Sequence, residues 1–251
     1  MIALSVNLNK IALIRNSREG NYPDVVAHGR TCLDAGADGI TVHPRPDQRH
    51  IRPDDVRGLA ALCARRQVEF NVEGNPFAGP QGSYPGLLPL VLETAPQQCT
   101  LVPDSNDQLT SDHGFDLERD GARLEPIIQQ LKDAGIRVSL FMDPDKAQIT
   151  RAREVGADRI ELYTGPFADA VLQQSPEVDD IFAAHCAAAE HALQLGLGVN
   201  AGHDLNLINL PRYRTLPGLQ EVSIGHALTV DAISMGLSDA VAAYVNCLSG
   251  K

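Results

Sequence analysis

Five segments of this chain end on residues that move protons or hold anions: SVNLNK on Asn7 and Lys10, GITVHPR on His43 and Arg45, FNVEG on Glu73, GVNAGH on His203 and SIGH on His226. The densest is HPRPDQRH, which sets His43, Arg45, Arg49 and His50 within eight residues. Arg offers a bidentate fork and His donates from either ring nitrogen, so the cluster can surround an anion; the plainer reading is a solvated basic loop. Glu73 closes an otherwise apolar run. A carboxylate is costly to bury unpaired, so it either meets a cation or carries a raised pKa that suits it to proton transfer. Glu161, in RIELYTG, poses the same choice. His203 and His226 each follow a glycine, which lets the backbone come close to a ligand. A helix that starts just past a strand end also offers free N–H groups to a phosphate. Lys10, Arg15 and Arg18 follow the first strand and read by default as surface residues, although their connection also opens onto the expected site. His28, His113, His185 and His191 have no such placement and are read as non-catalytic.

These groups act together only if a scaffold gathers them. Short apolar runs alternate with longer amphipathic ones along the whole chain, the pattern of strands and helices taking turns in a parallel sheet. Strands are expected near Ala3–Leu8, Gly39–His43, Glu69–Glu73, Gln98–Val102, Arg137–Met142, Arg159–Tyr163, Gly198–Ala201 and Gln220–Ile224. Helices are expected near Pro23–Ala35, Pro53–Arg66, Pro85–Thr94, Gly121–Ala134, Lys146–Val155, Val178–Leu195, Asn206–Tyr213 and Thr229–Leu248. The joints DAGADGITV, DAGIRVSLF, EVGADRIEL and QLGLGVNAG each put a glycine after a helix and an apolar strand soon after, a repeated turn that a left-handed glycine can make. Eight strands with no G-x-G-x-x-G after the first favour a single (β/α)8 TIM barrel over a doubly wound open sheet. In such a barrel the carboxyl ends of all strands open on one face, and the five segments become one candidate site. The stretches GNPFAGPQGSYPG after Glu73 and PDSNDQLTSDHGFDLERD after Val102 are then long loops on that face, where a lid could form.

The length matches one barrel, so a single catalytic domain over residues 1–251 is expected. A formal net charge of -11 opposes nucleic acid and anionic membrane as partners, and with no Trp and 4% aromatics there is little to stack on bases. No stretch approaches the ~18 apolar residues of a membrane span, and MIALSVNLNK lacks the basic start of a secretion leader. A cytoplasmic protein is expected. Cys32, Cys63, Cys99, Cys186 and Cys247 show no C-x-x-C pair and read as small buried hydrophobes in a reducing compartment.

Taken in order, VNLNKIALIRNSR, AGADGITVHPRPDQRHI, NVE, LVPDSNDQLT, AGIRVSLFMD, IELYTG, VNAGH and IGHA resemble the pyridoxine 5′-phosphate synthase family across almost the whole chain. The resemblance implies a barrel assembled as a homo-octamer, working without a metal or other cofactor. The implied reaction condenses 1-deoxy-D-xylulose 5-phosphate with 3-amino-2-oxopropyl phosphate to pyridoxine 5′-phosphate, releasing phosphate and water. His43 and Glu73 are implied as general acid/base groups, His203 as a proton donor and Glu161 as the stabiliser of a charged intermediate. Asn7, Arg18, Gly225, His226 and the backbone of Asp204 are implied to hold the amino-ketone phosphate, and Arg45, His50 and Thr110 the deoxyxylulose phosphate. Three features depart from the family. Asn9 and Lys10 stand where many members have Asp-His, on the sugar-phosphate side; Asp204 stands where a glycine is usual; and the loop after Glu73 is several residues longer.

Two other readings fit part of the pattern. A metal-dependent barrel hydrolase also places His and Glu at strand ends, yet such barrels often begin with H-x-H where this chain reads VNLN. A vitamin-phosphate carrier would hold an aldehyde as an imine on Lys10, which requires a desolvated lysine.

Overall fold

The strands of this chain alternate an apolar residue with a polar or small one, and the alternation sorts the two sides of the sheet. A computed structural model describes residues 1–250 and contains β1 (Ala3–Asn7), β2 (Gly39–Val42), β3 (Glu69–Gly74), β4 (Gln98–Leu101), β5 (Arg137–Met142), β6 (Arg159–Tyr163), β7 (Gly198–Gly202) and β8 (Leu219–Ile224). Each strand pairs in parallel with the next, and β8 closes on β1 with Ala3 beside Glu221 and Val6 beside Ile224. Leu4, Val6, Ile40, Phe70, Leu140 and Val222 join helix residues such as Leu59 and Leu124 in one apolar core, which lies between the sheet and the surrounding helices. The alternate positions form polar layers inside the barrel. Ser5 and Thr41 share a hydrogen bond of 2.6 Å, Thr100 donates to Asn71 at 3.1 Å, and Arg159 reaches Asn200 at 3.1 Å and Glu221 at 3.3 Å.

The helices are α1 (Asn9–Asn16), α2 (Val25–Asp34), α3 (Pro53–Arg66), α4 (Leu87–Thr94), α5 (Leu117–Asp133), α6 (Lys146–Glu154), α7 (Gly165–Leu172), α8 (Val178–Gln194), α9 (Leu210–Tyr213), α10 (His226–Met235) and α11 (Leu237–Ser249). Asp24, Asp116 and Asp145 cap α2, α5 and α6 by accepting backbone N–H bonds, and Pro53 opens α3 where its missing N–H costs nothing. Gly36, Gly135, Gly156 and Gly196 all take positive φ after a helix, the turn repeated in the sequence.

All eight expected strands are present, each within one residue at either end. The helices depart more. NKIALIRN, a basic connection by its sequence, forms α1, because Ile11, Ala12 and Arg15 share a buried face. GPFADAVL forms α7, in which a proline in the first turn starts a helix rather than a loop. The helix expected over Thr229–Leu248 starts earlier, at His226, and is two helices, broken at Gly236 with φ +86. Cys32, Cys63 and Cys99 are buried, while Cys186 and Cys247 are half-buried. Among the described residues no helix is long and apolar enough to cross a membrane.

Candidate active site

Asn7, at the end of β1, begins a chain of hydrogen bonds across the carboxyl face. Its side-chain oxygen accepts the Asn9 N–H at 3.0 Å, which orients its NH2 toward Glu73, where it donates at 3.3 Å. Asn9 in turn accepts the His43 N–H at 2.9 Å, tying the start of α1 to the exit of β2. Ser223 of β8 donates to the other Glu73 oxygen at 3.4 Å. The Glu73 carboxyl is buried, and burial together with the Asp104 and Glu221 carboxylates raises its pKa to about 8; the bonds from Ser223 and Asn7 offset this only in part. Glu161, of β6, is raised as well, first by burial and then by Glu73. Two buried carboxyls that repel each other's charge retain a proton between them at neutral pH.

The β2 exit supplies the opposite character. His43 is buried, and burial plus the charges of Arg45, His50 and Arg49 hold its pKa well below the usual imidazole range. It is therefore a neutral ring. His50 is pushed down to about 3, by burial and then by Arg45, Arg49 and Lys10. Its Nδ1 accepts the Ile51 N–H at 2.9 Å, so its own proton sits on Nε2. The His43 and His50 rings meet edge-on with centroids 6.3 Å apart.

HPRPDQRH also holds a lid. Arg45 is buried, pairs with Asp104 and donates to the carbonyls of Ser105 at 3.2 Å and Gln108 at 3.3 Å. Arg49 donates to the carbonyls of Gln108 at 2.9 Å and Asn106 at 2.6 Å. The β4–α5 connection is thereby held at the cavity mouth, where Leu109, Thr110 and Ser111 form part of the wall. The Gly/Pro loop after Glu73 adds nothing to that wall. Phe77 instead lies under the Arg123 guanidinium, 3.8 Å from it, and Ser83 bonds to Gln48 at 3.0 Å.

β7 and β8 complete the site. His203 follows β7, with Thr110 Oγ1 at 2.8 Å from Nε2, Asp204 Oδ2 at 2.8 Å from Nδ1 and the Tyr163 ring edge-on at 5.3 Å between centroids. Gly202 leaves room for the Glu161 carboxyl, since a Cβ there would lie 2.3 Å from a Glu161 oxygen and would displace it. Gly225 is packed tightly, since a Cβ there would lie 3.0 Å from Asn7, and it leaves α10 to begin at His226 without a side-chain cap.

Asn7, Asn9, Lys10, His43, Arg45, His50, Glu73, Thr110, Glu161, His203, Asp204, Gly225 and His226 all line one cavity of about 330 Å³. Arg18 does not. It is exposed beyond the end of α1, a helix that carries the chain about 12 Å from the strand end before Arg18 is reached. Arg15, a surface residue by its sequence, is fully buried, paired with Asp55 at 2.5 Å and bonded to the His50 carbonyl at 2.9 Å. His28, His113, His185 and His191 stand outside the cavity wall, and His185 meets the Tyr213 hydroxyl at 2.8 Å within an aromatic cluster. Sequence reasoning misses Ser223, Phe141, Ser111 and the Asp104 partner of Arg45. Ser223 and Phe141 fall at inward positions of their strands and are open to the period-two pattern; Asp104 and Ser111, on a loop, carry no such signal. Among the described residues no cluster of three or more His, Cys, Asp or Glu is arranged to hold a metal ion.

A closed parallel barrel with acid, base and cationic side chains at its carboxyl ends defines a (β/α)8-barrel enzyme of small-molecule substrates. The sequence model of the family described as Pyridoxal phosphate biosynthesis protein PdxJ matches residues 4–250, and the chain belongs to that family. A pyridoxine 5′-phosphate synthase from Xanthomonas axonopodis pv. citri is 56% identical over 246 residues, covering 98% of this chain and 96% of the relative. One from Xylella fastidiosa is 52% identical over 246 residues, covering 98% and 94%. Among solved structures, thiamine phosphate pyrophosphorylase from Pyrococcus furiosus superposes with a TM-score of 0.62 at 12% identity, covering 99% of this chain and 96% of that one. Tryptophan synthase from M. tuberculosis superposes at 0.62 with 13% identity, covering 98% and 93%. At such identities these two likenesses concern the fold alone.

Proposed function

We propose that the chain, as one catalytic domain, is a pyridoxine 5′-phosphate synthase. It joins 1-deoxy-D-xylulose 5-phosphate to 3-amino-2-oxopropyl phosphate and closes the pyridine ring with loss of phosphate and water. The observation that carries this reading is the content of a single cavity: two buried carboxyls that retain a proton, two imidazoles held neutral, and cationic or N–H donors at the exits of β1, β2 and β8.

The chemistry needs that variety. Imine formation between the amino ketone and the sugar carbonyl moves a proton off the amine and onto a leaving hydroxyl, and each later elimination repeats the exchange at another atom. His43, a neutral ring, takes the first proton. Glu73, protonated at neutral pH, gives one to a departing oxygen and is recharged by the next abstraction. His203 serves as donor at the cavity mouth, and Glu161 sits against the positive charge of an iminium. Asn7, His226 and the first-turn N–H groups of α10 hold the amino-ketone phosphate. Lys10, Arg45 and the His50 Nε2–H hold the sugar phosphate, joined by the Thr110 hydroxyl once it turns from His203 Nε2, although the Arg45 fork is partly spent on Asp104 and the lid. Asn9 acts through the His43 N–H, and Arg18 has no part in this scheme.

Exposed Leu13 and Ile14 on α1 and Val230 and Ile233 on α10, two helices in contact, support self-association, with the homo-octamer as the proposed state. Five free cysteines support a reducing compartment such as the cytoplasm. The reaction is tested by incubating exhaustively chelated protein with both substrates. Pyridoxine 5′-phosphate should form with one phosphate released per ring. No product, or product only after metal is restored, would overturn the reading.

A further inference from the structure

His203 and Asp204 are consecutive non-glycine residues with φ of +86 and +55. Such conformations persist only where the surroundings over-determine them. Here the Thr164 hydroxyl donates to the carbonyls of Gly202 and His203, and the Asn209 amide donates to the Asp204 carbonyl at 3.1 Å. The left-handed turn folds the Asp204 carboxylate back onto the ring that precedes it, with Oδ2 at 2.8 Å from Nδ1.

A carboxylate can only accept, so Nδ1 carries a proton. In the neutral ring Nε2 is then an acceptor, and the Thr110 hydroxyl donates to it across 2.8 Å. We propose that Asp204 is a positioning residue, which fixes His203 in the Nδ1–H tautomer, presents Nε2 to the cavity and supplies the counter-charge when the ring is protonated. The inference rests on the synthase reading, in which His203 is the proton donor. Asp204 suits this role because the bond from His203 outweighs burial and holds its carboxyl below the ordinary value, so it is ionised at neutral pH. The other groups facing the pair are Asp104 and Thr110 from the β4–α5 connection and Tyr163 from β6, with His226 and Lys10 acting on the Asp204 carboxylate.

Nitrogen NMR of histidine-labelled protein reads the tautomer without any substrate. Recorded at a pH where the ring is neutral, the unaltered chain should show His203 protonated on Nδ1. Asp204→Gly, which accepts the left-handed backbone without strain, should shift that ring toward the Nε2–H form. In kinetics, Asp204→Asn keeps the size and an acceptor oxygen but loses the charge. Its kcat should fall about ten-fold, the basic limb of the kcat profile should move to lower pH, and KM for both substrates should stay within about two-fold. Asp204→Glu should recover part of the kcat. An unchanged tautomer in Asp204→Gly, or an unchanged kcat in Asp204→Asn with a raised KM for one phosphate, would overturn the proposal and make Asp204 a substrate contact. Absence of turnover in the unaltered protein would fell the synthase reading, and the NMR comparison would still decide the Asp204–His203 pairing.

Discussion

Glu73 and His43 reverse the order in which their side chains usually titrate. The carboxyl holds its proton to about pH 8, while the imidazole nearby stays neutral. Glu73→Gln preserves shape but removes the exchangeable proton, so kcat should fall by ~10²-fold or more with little change in either KM. The same residue sets a stability trend. Its pKa in the folded chain lies above the ~4.3 of an unfolded glutamate, so between those values the folded state binds the extra proton. Its contribution to stability then declines as pH rises through that window. Thermal unfolding at two pH values checks this: Glu73→Gln should gain Tm over the unaltered chain at pH 8 and gain far less at pH 5. Lys10 is the other residue to test. It is half-buried in the wall, and its charge is felt by both His50 and Asp204. Lys10→Ala should raise KM for deoxyxylulose phosphate far more than for the amino-ketone phosphate, measured with each varied in turn. Equal effects would remove Lys10 from the sugar-phosphate subsite.

At the scale of elements, α1 is fixed by a side chain rather than by its own propensity. Arg15 joins α1 to Asp55 of α3 and to the His50 carbonyl, so one guanidinium sets both the helix and the loop that carries His43, Arg45 and His50. Arg15→Ala strands a buried carboxylate and should cost about 3–5 kcal/mol in a urea titration. Loss of the His50 anchor should also raise KM for the sugar phosphate. A variant as stable as the original would reduce the pair to a peripheral contact. The strands are legible in the sequence because short apolar runs alternate with amphipathic ones, and those of β2, β5, β6 and β7 are each entered through a glycine turn. α1 is not, since its buried face includes an arginine whose partner lies 40 residues away. The lid is half legible: two long loops on one face are evident, but which one covers the cavity depends on Arg45 and Arg49 reaching carbonyls of residues 105, 106 and 108. The polar interior can be read from Ser5, Thr41, Asn71, Thr100 and Ser139, each buried and each flanked along its own strand by apolar residues.

For the whole molecule, the seam between β1 and β8 governs how the protein comes into being. Asn7 and Gly225 pack against each other across it, so the wall of the active site joins the first strand of the barrel to the eighth. Until β8 arrives, β1 keeps an open edge able to pair with a strand of another chain. Contacts of such long sequence separation also form late. A chain ending at residue 218, before β8, should be cleaved readily by protease and should collect in aggregates, whereas the full chain resists under the same conditions. A protease-resistant, monomeric 1–218 fragment would show that seven strands suffice. By the same reasoning a premature stop before β8 is expected to leave the edge of β1 unpaired rather than to yield a partly active enzyme.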